Sequence, residues 1–118
     1  MSIFVRAQFD VLDQRRAEFE QLALALLEQA DDEPGTLTYR FFSAAGGYLV
    51  LEEYADDAAA LAHNERAAPL LERVGECAEL VRAELYGPIG PELREWVRSR
   101  PQVTSYADFP GDGGGEKS

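Results

Sequence analysis

The order in which two periodicities alternate along the chain constrains its fold more than any other feature. Residues 3–9 alternate with a period of two. Ile3, Val5, Ala7 and Phe9 share one side, and Phe4, Arg6 and Gln8 the other, the pattern of a strand with one apolar face. From about residue 13 to residue 30 the period lengthens. Phe19, Leu22, Leu26 and the neighbours Ala23, Leu27 and Ala30 form an apolar helical stripe, with Asp13 as the expected N-cap. Asp31-Asp32-Glu33-Pro34-Gly35 then ends the helix, because acids oppose the dipole at its C-terminus and Pro-Gly marks a turn.

Residues 36–42, rich in β-branched and aromatic side chains, read as a second strand. Ser43-Ala44-Ala45-Gly46-Gly47 makes a hairpin connection to a third strand over residues 48–54. Asp56 and Asp57 sit where a helix over about residues 58–66 should begin. Pro69 is expected to interrupt that helix and open a new turn, with Gly75 as its stop. Residues 79–86 alternate again as a fourth strand. The connector Gly87-Pro88-Ile89-Gly90-Pro91 leads to a short helix carrying Leu93, Trp96 and Val97 on one side. Residues 103–106 read as a short extra strand.

The resulting order, β-α-β-β-α-β, is a ferredoxin-like split βαβ pattern in the α+β class. One sheet face collects Ile3, Val5, Ala7, Phe9, Leu37, Tyr39, Phe41, Leu49, Leu51, Val81, Ala83 and Leu85 and should carry the helices. The other collects Phe4, Arg6, Arg40, Phe42, Tyr48, Glu52, Tyr54, Arg82, Glu84 and Tyr86. That face is too aromatic to be left in water, so a homodimer through Phe42, Tyr48, Tyr54 and Tyr86 is expected. One domain should span residues 1–109, with a core over about 2–87 and a helix and strand extension over 91–107. Four of the ten glycines fall in the last eight residues, so residues 110–118 are expected to be a disordered tail.

Charge and cysteine content exclude several function classes. With 118 residues, 11 Lys and Arg against 22 Asp and Glu, and a net charge of −11, neither nucleic acid nor an anionic membrane surface is expected as a partner. Lys117 in the tail is the single lysine, which leaves a Schiff-base mechanism almost without a candidate. The lone Cys77 and lone His63 give no metal-ligand spacing. No signal peptide or membrane span is expected, and a reducing, cytoplasmic setting fits the cysteine usage. No glycine-rich loop joins a strand to a helix at the spacing a phosphate needs.

His63 is the one side chain whose ordinary pKa lies near neutrality. It reads either as a general base at a pocket between helix and sheet or as a helix-surface or capping residue. Tyr39, Tyr48, Tyr54 and Tyr86 read either as groups that orient an aromatic substrate or as core and interface filler. Glu52-Glu53 reads either as holding a carboxylate base or, at Glu52, as an ion-pair partner for an arginine across a sheet or interface, and Cys77 and Trp96 read as packing residues.

Glu33-Pro34-Gly35-Thr36-Leu37-Thr38-Tyr39, then Tyr48-Leu49-Val50-Leu51-Glu52-Glu53-Tyr54, then Asp57 and Leu61-Ala62-His63 resemble antibiotic biosynthesis monooxygenase domains. In that family an E-x-G-x-x-x-Y segment opens a strand, the next strand ends in an acid and an aromatic, and a helix with a histidine follows. The glycine is read as serving the turn. The resemblance covers about residues 2–87. It implies a dimeric α+β barrel in which each protomer has its own cavity between sheet and helices. It also implies a cofactor-independent monooxygenase for an aromatic polyketide, phenol or quinol, whose deprotonated ring supplies the electrons for oxygen. His63 would take the phenolic proton, Tyr39 would hydrogen-bond the substrate oxygen, and Phe9 and Phe41 would form the apolar wall around this hydrophobic aromatic small molecule. No cofactor is implied. The haem-degrading branch fits poorly, since the first strand holds Gln8 rather than Asn and Trp96 lies outside the second helix. A non-catalytic small-ligand-binding or regulatory barrel is the alternative.

Overall fold

A computed structural model describes residues 1–110; the glycine-rich tail expected from residue 110 lies, from residue 111 on, outside the described residues. Strand β1 (Ile3–Val11) passes through a short 3-10 turn (Asp13–Arg15) into helix α1 (Arg16–Asp31). The hairpin β2 (Thr36–Ala44) and β3 (Gly47–Tyr54) follows, then helix α2 (Asp57–Cys77) and strand β4 (Ala78–Tyr86). Helix α3 (Pro91–Arg98) and strand β5 (Val103–Tyr106) complete the described chain. The sheet runs β2-β3-β1-β4-β5. Its first four strands pair antiparallel, and β5 pairs parallel to β4. This is the expected ferredoxin-like α+β arrangement, extended by one strand.

The helices cover one face of the sheet. Phe19, Leu22 and Leu26 of α1 and Ala67, Val74 and Cys77 of α2 form one apolar cluster with Val11 and Tyr48. Ala60 of α2 and Leu93 of α3 form a second with Ile3, Tyr54, Ala83 and Leu85. Phe9 packs against both. Burial of a side chain of this size stabilises by about 1.5–3 kcal/mol. Among the described residues no helix is long and apolar enough to cross a membrane.

The third strand is turned over relative to the sequence expectation. Its register on β1 pairs Ile3 with Tyr54, Val5 with Glu52, Ala7 with Val50 and Phe9 with Tyr48. Tyr48, Val50, Glu52 and Tyr54 therefore face the helices, and Leu49, Leu51 and Glu53 face the open side. Tyr48 and Tyr54 are buried in the core and leave the open face, whereas Phe42 and Tyr86 stay on it. The cause is parity: a one-residue slip exchanges the two faces of a strand. Both sides of β3 are apolar, so its sequence pattern does not choose between them.

Three local readings also change. Leu12, not Asp13, precedes the first turn, and no side chain caps it. Helix α2 runs unbroken through Pro69 and Gly75. Both lie on the exposed side of a buried stripe formed by Ala60, His63, Ala67, Val74 and Cys77. Packing of that stripe offsets the roughly 3 kcal/mol that an interior proline costs. Gly35 is required by close approach rather than by turn geometry. A Cβ there would lie 2.6 Å from the Ala59 Cβ, so only glycine lets the start of β2 rest on the first turn of α2.

The open face carries half-exposed Phe4, Phe42, Leu51 and Tyr106. Arg6 pairs with Glu84 at 2.7 Å, Tyr86 donates to the same carboxylate at 2.6 Å, and Arg40 lies 4.8 Å from the centre of the Phe42 ring.

Candidate active site

Asp56 starts α2 by accepting a hydrogen bond from the Ala59 N–H at 2.9 Å. Two turns on, His63 points to the sheet and is 2% exposed. Its Nδ1 lies 2.7 Å from Oε1 of Glu33, a residue of the turn between α1 and β2. Glu33 is itself held. The Thr36 hydroxyl donates to its Oε1 at 2.8 Å, and Arg66 donates to its Oε2 at 3.2 Å. Arg66 also donates to the Gln29 carbonyl at 2.8 Å, tying α2 to the end of α1.

Burial pushes the Glu33 carboxyl up, but the hydrogen bonds from His63 and Thr36 and the Arg66 charge outweigh it, and its pKa falls below the ordinary value. Glu33 is thus an ionised acceptor, and Nδ1 of His63 must carry the proton it receives. In the neutral ring that leaves the lone pair on Nε2. Such a pair has the geometry of a base with an orienting group.

Two tyrosines flank the imidazole, Tyr39 with its ring centre 4.9 Å away and Tyr54 at 5.3 Å. The Tyr54 hydroxyl donates to Glu52 Oε1. Glu52 stands directly opposite Tyr39 across β2 and β3. Burial, followed by the nearby Glu52 and Glu33 charges, raises the pKa of Tyr39 far above the phenol range, so it is a donor and not a base. Burial, then Glu52, does the same to Tyr54. Burial raises Glu52 as well, with the Tyr54 hydrogen bond and the His63 charge pulling the other way.

The structure brings His63 and Tyr39 together and sets Phe9 and Phe41 further off. Phe41 packs edge-on to Tyr39 at 5.7 Å. Phe19 of α1 fills the space between Phe41 and Phe9, with ring centres 6.3 and 6.0 Å away. Tyr39 also lines a groove of about 380 Å3 together with Leu27, Ala30 and Asp31 of α1 and Thr36 and Leu37 of β2. Glu33 is a component of this cluster that the sequence does not single out, whereas Glu52 and Tyr54, both candidates from the sequence, were expected on the open face and stand on the helix side. Glu33 was masked by an acidic run, although the E-x-G segment marked it. Glu52 and Tyr54 were masked by the parity of β3. Among the described residues, no three His, Cys, Asp or Glu side chains group so as to hold a metal ion.

The sequence profile of antibiotic biosynthesis monooxygenases matches residues 2–70, and the chain belongs to that family. No curated protein matches it. Solved structures share its fold. MupZ from Pseudomonas fluorescens is 21% identical with a TM-score of 0.78, over 91% of this chain and 89% of that one. A candidate antibiotic biosynthesis monooxygenase from Caulobacter crescentus is 29% identical with a TM-score of 0.65, over 71% and 86%. A variant of SnoaB, a cofactor-independent oxygenase from Streptomyces nogalater, is 14% identical with a TM-score of 0.65, over 76% and 95%.

Proposed function

We propose that the protein is a cofactor-independent monooxygenase for a flat, hydrophobic phenol, quinol or aromatic polyketide. The observation that carries this reading is the buried His63, held by Glu33 at 2.7 Å and flanked by Tyr39. His63 Nε2 takes the phenolic proton, and Tyr39 donates to the substrate oxygen. Phe41 behind Tyr39, and Phe9 beyond Phe19, back the site with apolar surface. The ring anion reduces oxygen. One oxygen atom enters the substrate and the other leaves as water, with all four electrons supplied by the substrate. A positioned base contributes about 10²- to 10⁴-fold.

The working form in this reading is a homodimer. The two open sheet faces meet through Phe4, Phe42, Leu51 and Tyr86, and Tyr48 and Tyr54 take no part. A reducing, cytoplasmic setting belongs to the same reading and rests on the lone, buried Cys77.

Oxygen uptake with a hydroquinone and with anthrone tests the activity. We expect turnover by the wild type and a loss of 10² to 10⁴ in His63→Ala with the fold retained. Full activity in that variant removes His63 from the mechanism. A specific observation favours the alternative of a non-catalytic binding barrel: the groove beside Tyr39 is lined by Leu27, Ala30, Thr36 and Leu37 and not by His63. Tight binding of aromatic ligands with no oxygen uptake by the wild type would establish it.

A further inference from the structure

On the open face, across the sheet from His63, three aromatic side chains stand in one row over three strands. Phe4 of β1 is the direct partner of Tyr86 of β4, and Tyr86 is that of Tyr106 of β5. The Tyr86 and Tyr106 rings stack with centres 5.3 Å apart, and Phe4 and Tyr106 are each 49% exposed. A cavity of about 240 Å3 is lined by all three rings together with Gly87 and Asp108. Gly87, at a φ of 115°, donates its N–H to the Tyr106 carbonyl at 2.9 Å and so ties the end of β5 to β4. A Cβ there would lie 2.9 Å from the Ser2 carbonyl oxygen, so this wall needs glycine. The charge around the row is negative. Asp108 lines the cavity, and Glu53 is the β3 partner of Phe4. Arg6, two residues along β1, is paired with Glu84 at 2.7 Å. Met1 also borders the cavity but is 81% exposed, so water and salt screen its amino charge.

We propose that Phe4, Tyr86 and Tyr106 form an aromatic cage for a small, free quaternary ammonium compound, with Asp108 as its counter-charge. The negative faces of aromatic rings attract a cation, most strongly where it has lost its water. The available acceptors select the kind of cation. A primary ammonium is strongly hydrated and has three N–H donors to satisfy. The Tyr86 hydroxyl is engaged with Glu84 at 2.6 Å, and Asp108 is the one carboxylate lining the cavity. A trimethylammonium group has no N–H to satisfy and packs its methyl groups on the rings. The cavity is smaller than the about 300–1,000 Å3 of drug-sized sites, which fits a ligand of the size of choline. A phosphate beside the ammonium would meet Asp108 and Glu53 and be repelled. Phe42 and Leu51 stand in rows further along the same face, so a second copy seated on them has the cage at its border. The cage lies on the face opposite His63 and does not depend on the monooxygenase reading.

The test is titration of the full chain with choline, followed by the NMR shifts of the Gly87 and Tyr106 amides. We expect saturable binding with a dissociation constant of about 0.1–1 mM. Ethanolamine, and the uncharged analogue with a tert-butyl group in place of trimethylammonium, should each bind about tenfold more weakly or worse. Phosphocholine should bind more weakly than choline. Phe4→Leu and Tyr106→Leu, with circular dichroism confirming their fold, should each lose about 3- to 30-fold. Tyr106→Phe keeps the ring and should stay near wild-type affinity, and Asp108→Asn should weaken choline but not the uncharged analogue. No saturable shift in the wild type overturns the proposal, as does unchanged affinity in folded Phe4→Leu and Tyr106→Leu. Equal binding of the uncharged analogue overturns it too, since the cavity would then read shape and not charge. Tighter binding of phosphocholine would reassign the row to a lipid headgroup. Binding by Leu51→Arg but not by the wild type would reassign it to the second copy.

Discussion

Glu33 and His63 stand 30 residues apart in the chain and 2.7 Å apart in the fold. Neither residue reaches the other through its own element. The turn at Glu33 comes to α2 because Gly35 packs against Ala59, and α2 begins where it does because Asp56 caps it. The site is therefore set by one steric contact and one cap, both outside it.

Removing Glu33 should cost stability in a pH-dependent way. Its pKa is lowered from the ordinary 4.5 in the folded state. The ionised form thus contributes stability that is present above the unfolded value and is lost as pH falls through the lowered, folded one. Glu33→Ala also leaves the buried Nδ1 of His63 without an acceptor, at about 1–3 kcal/mol. Urea unfolding at pH 7 should show that loss, and the gap to wild type should narrow below about pH 4.5. A gap independent of pH would mean that the carboxylate's charge contributes nothing.

Gly35→Ala should destabilise by about 1–3 kcal/mol, because the added Cβ lies 2.6 Å from that of Ala59 and neither backbone can yield easily. Activity should fall with it as the Glu33 turn is pushed off α2. The double variant Gly35→Ala, Ala59→Gly removes the clashing atom and should recover most of the loss, apart from about 1 kcal/mol for a glycine in a helix. Thermal melts of the four proteins give the coupling directly, and simple additivity would show that the contact is not the cause.

The fold was legible where only one side of an element is apolar. In β1 and α1 the single stripe leaves one way to bury it, so strand order and helix layer follow from sequence. In β3 Tyr48 and Val50 compete with Leu49 and Leu51, and the face is decided by pairing with β1, which no local pattern contains. His63 was legible as the single histidine of the chain. Glu33 was not legible, nor was the placement of Glu52, because a carboxylate's role depends on its partners. Glu33 sits among acids that reach solvent, and Glu52 was placed on the wrong face with its strand. Pro69 misled for a different reason: a breaker acts on the backbone locally, while the buried stripe of α2 continues across it.

A change on the open face should separate the protomers of the proposed dimer without touching the site. Leu51 is 36% exposed and Phe42 38%, and both point away from the helices. Leu51→Arg or Phe42→Glu places a charge where two sheet faces would meet and should shift a dimer to monomer in sedimentation at micromolar concentration. Tyr54→Phe is the control. It lies on the helix side and should leave the assembly unchanged. Loss of the dimer in the control instead would mean that the helix side mediates it.

Glu52→Gln should stabilise the protein at neutral pH, opposite in sign to the change at Glu33. Burial raises the Glu52 pKa above the ordinary 4.5. A carboxyl with a raised folded pKa binds its proton more tightly in the native state. Stability is therefore lost as pH climbs from the unfolded value through the folded one, and the native state carries the full penalty above it. Glutamine fills nearly the same space, still accepts from Tyr54, and never ionises, so it escapes that penalty. Below about pH 4 both side chains are neutral and the two proteins should unfold at the same denaturant concentration. Above pH 7 the variant should hold out to higher denaturant. The measurement is the midpoint of urea unfolding from pH 3.5 to pH 8.5 for both proteins. A variant less stable than wild type at pH 8, and equal to it at pH 4, would mean that Glu52 is stabilised as a carboxylate.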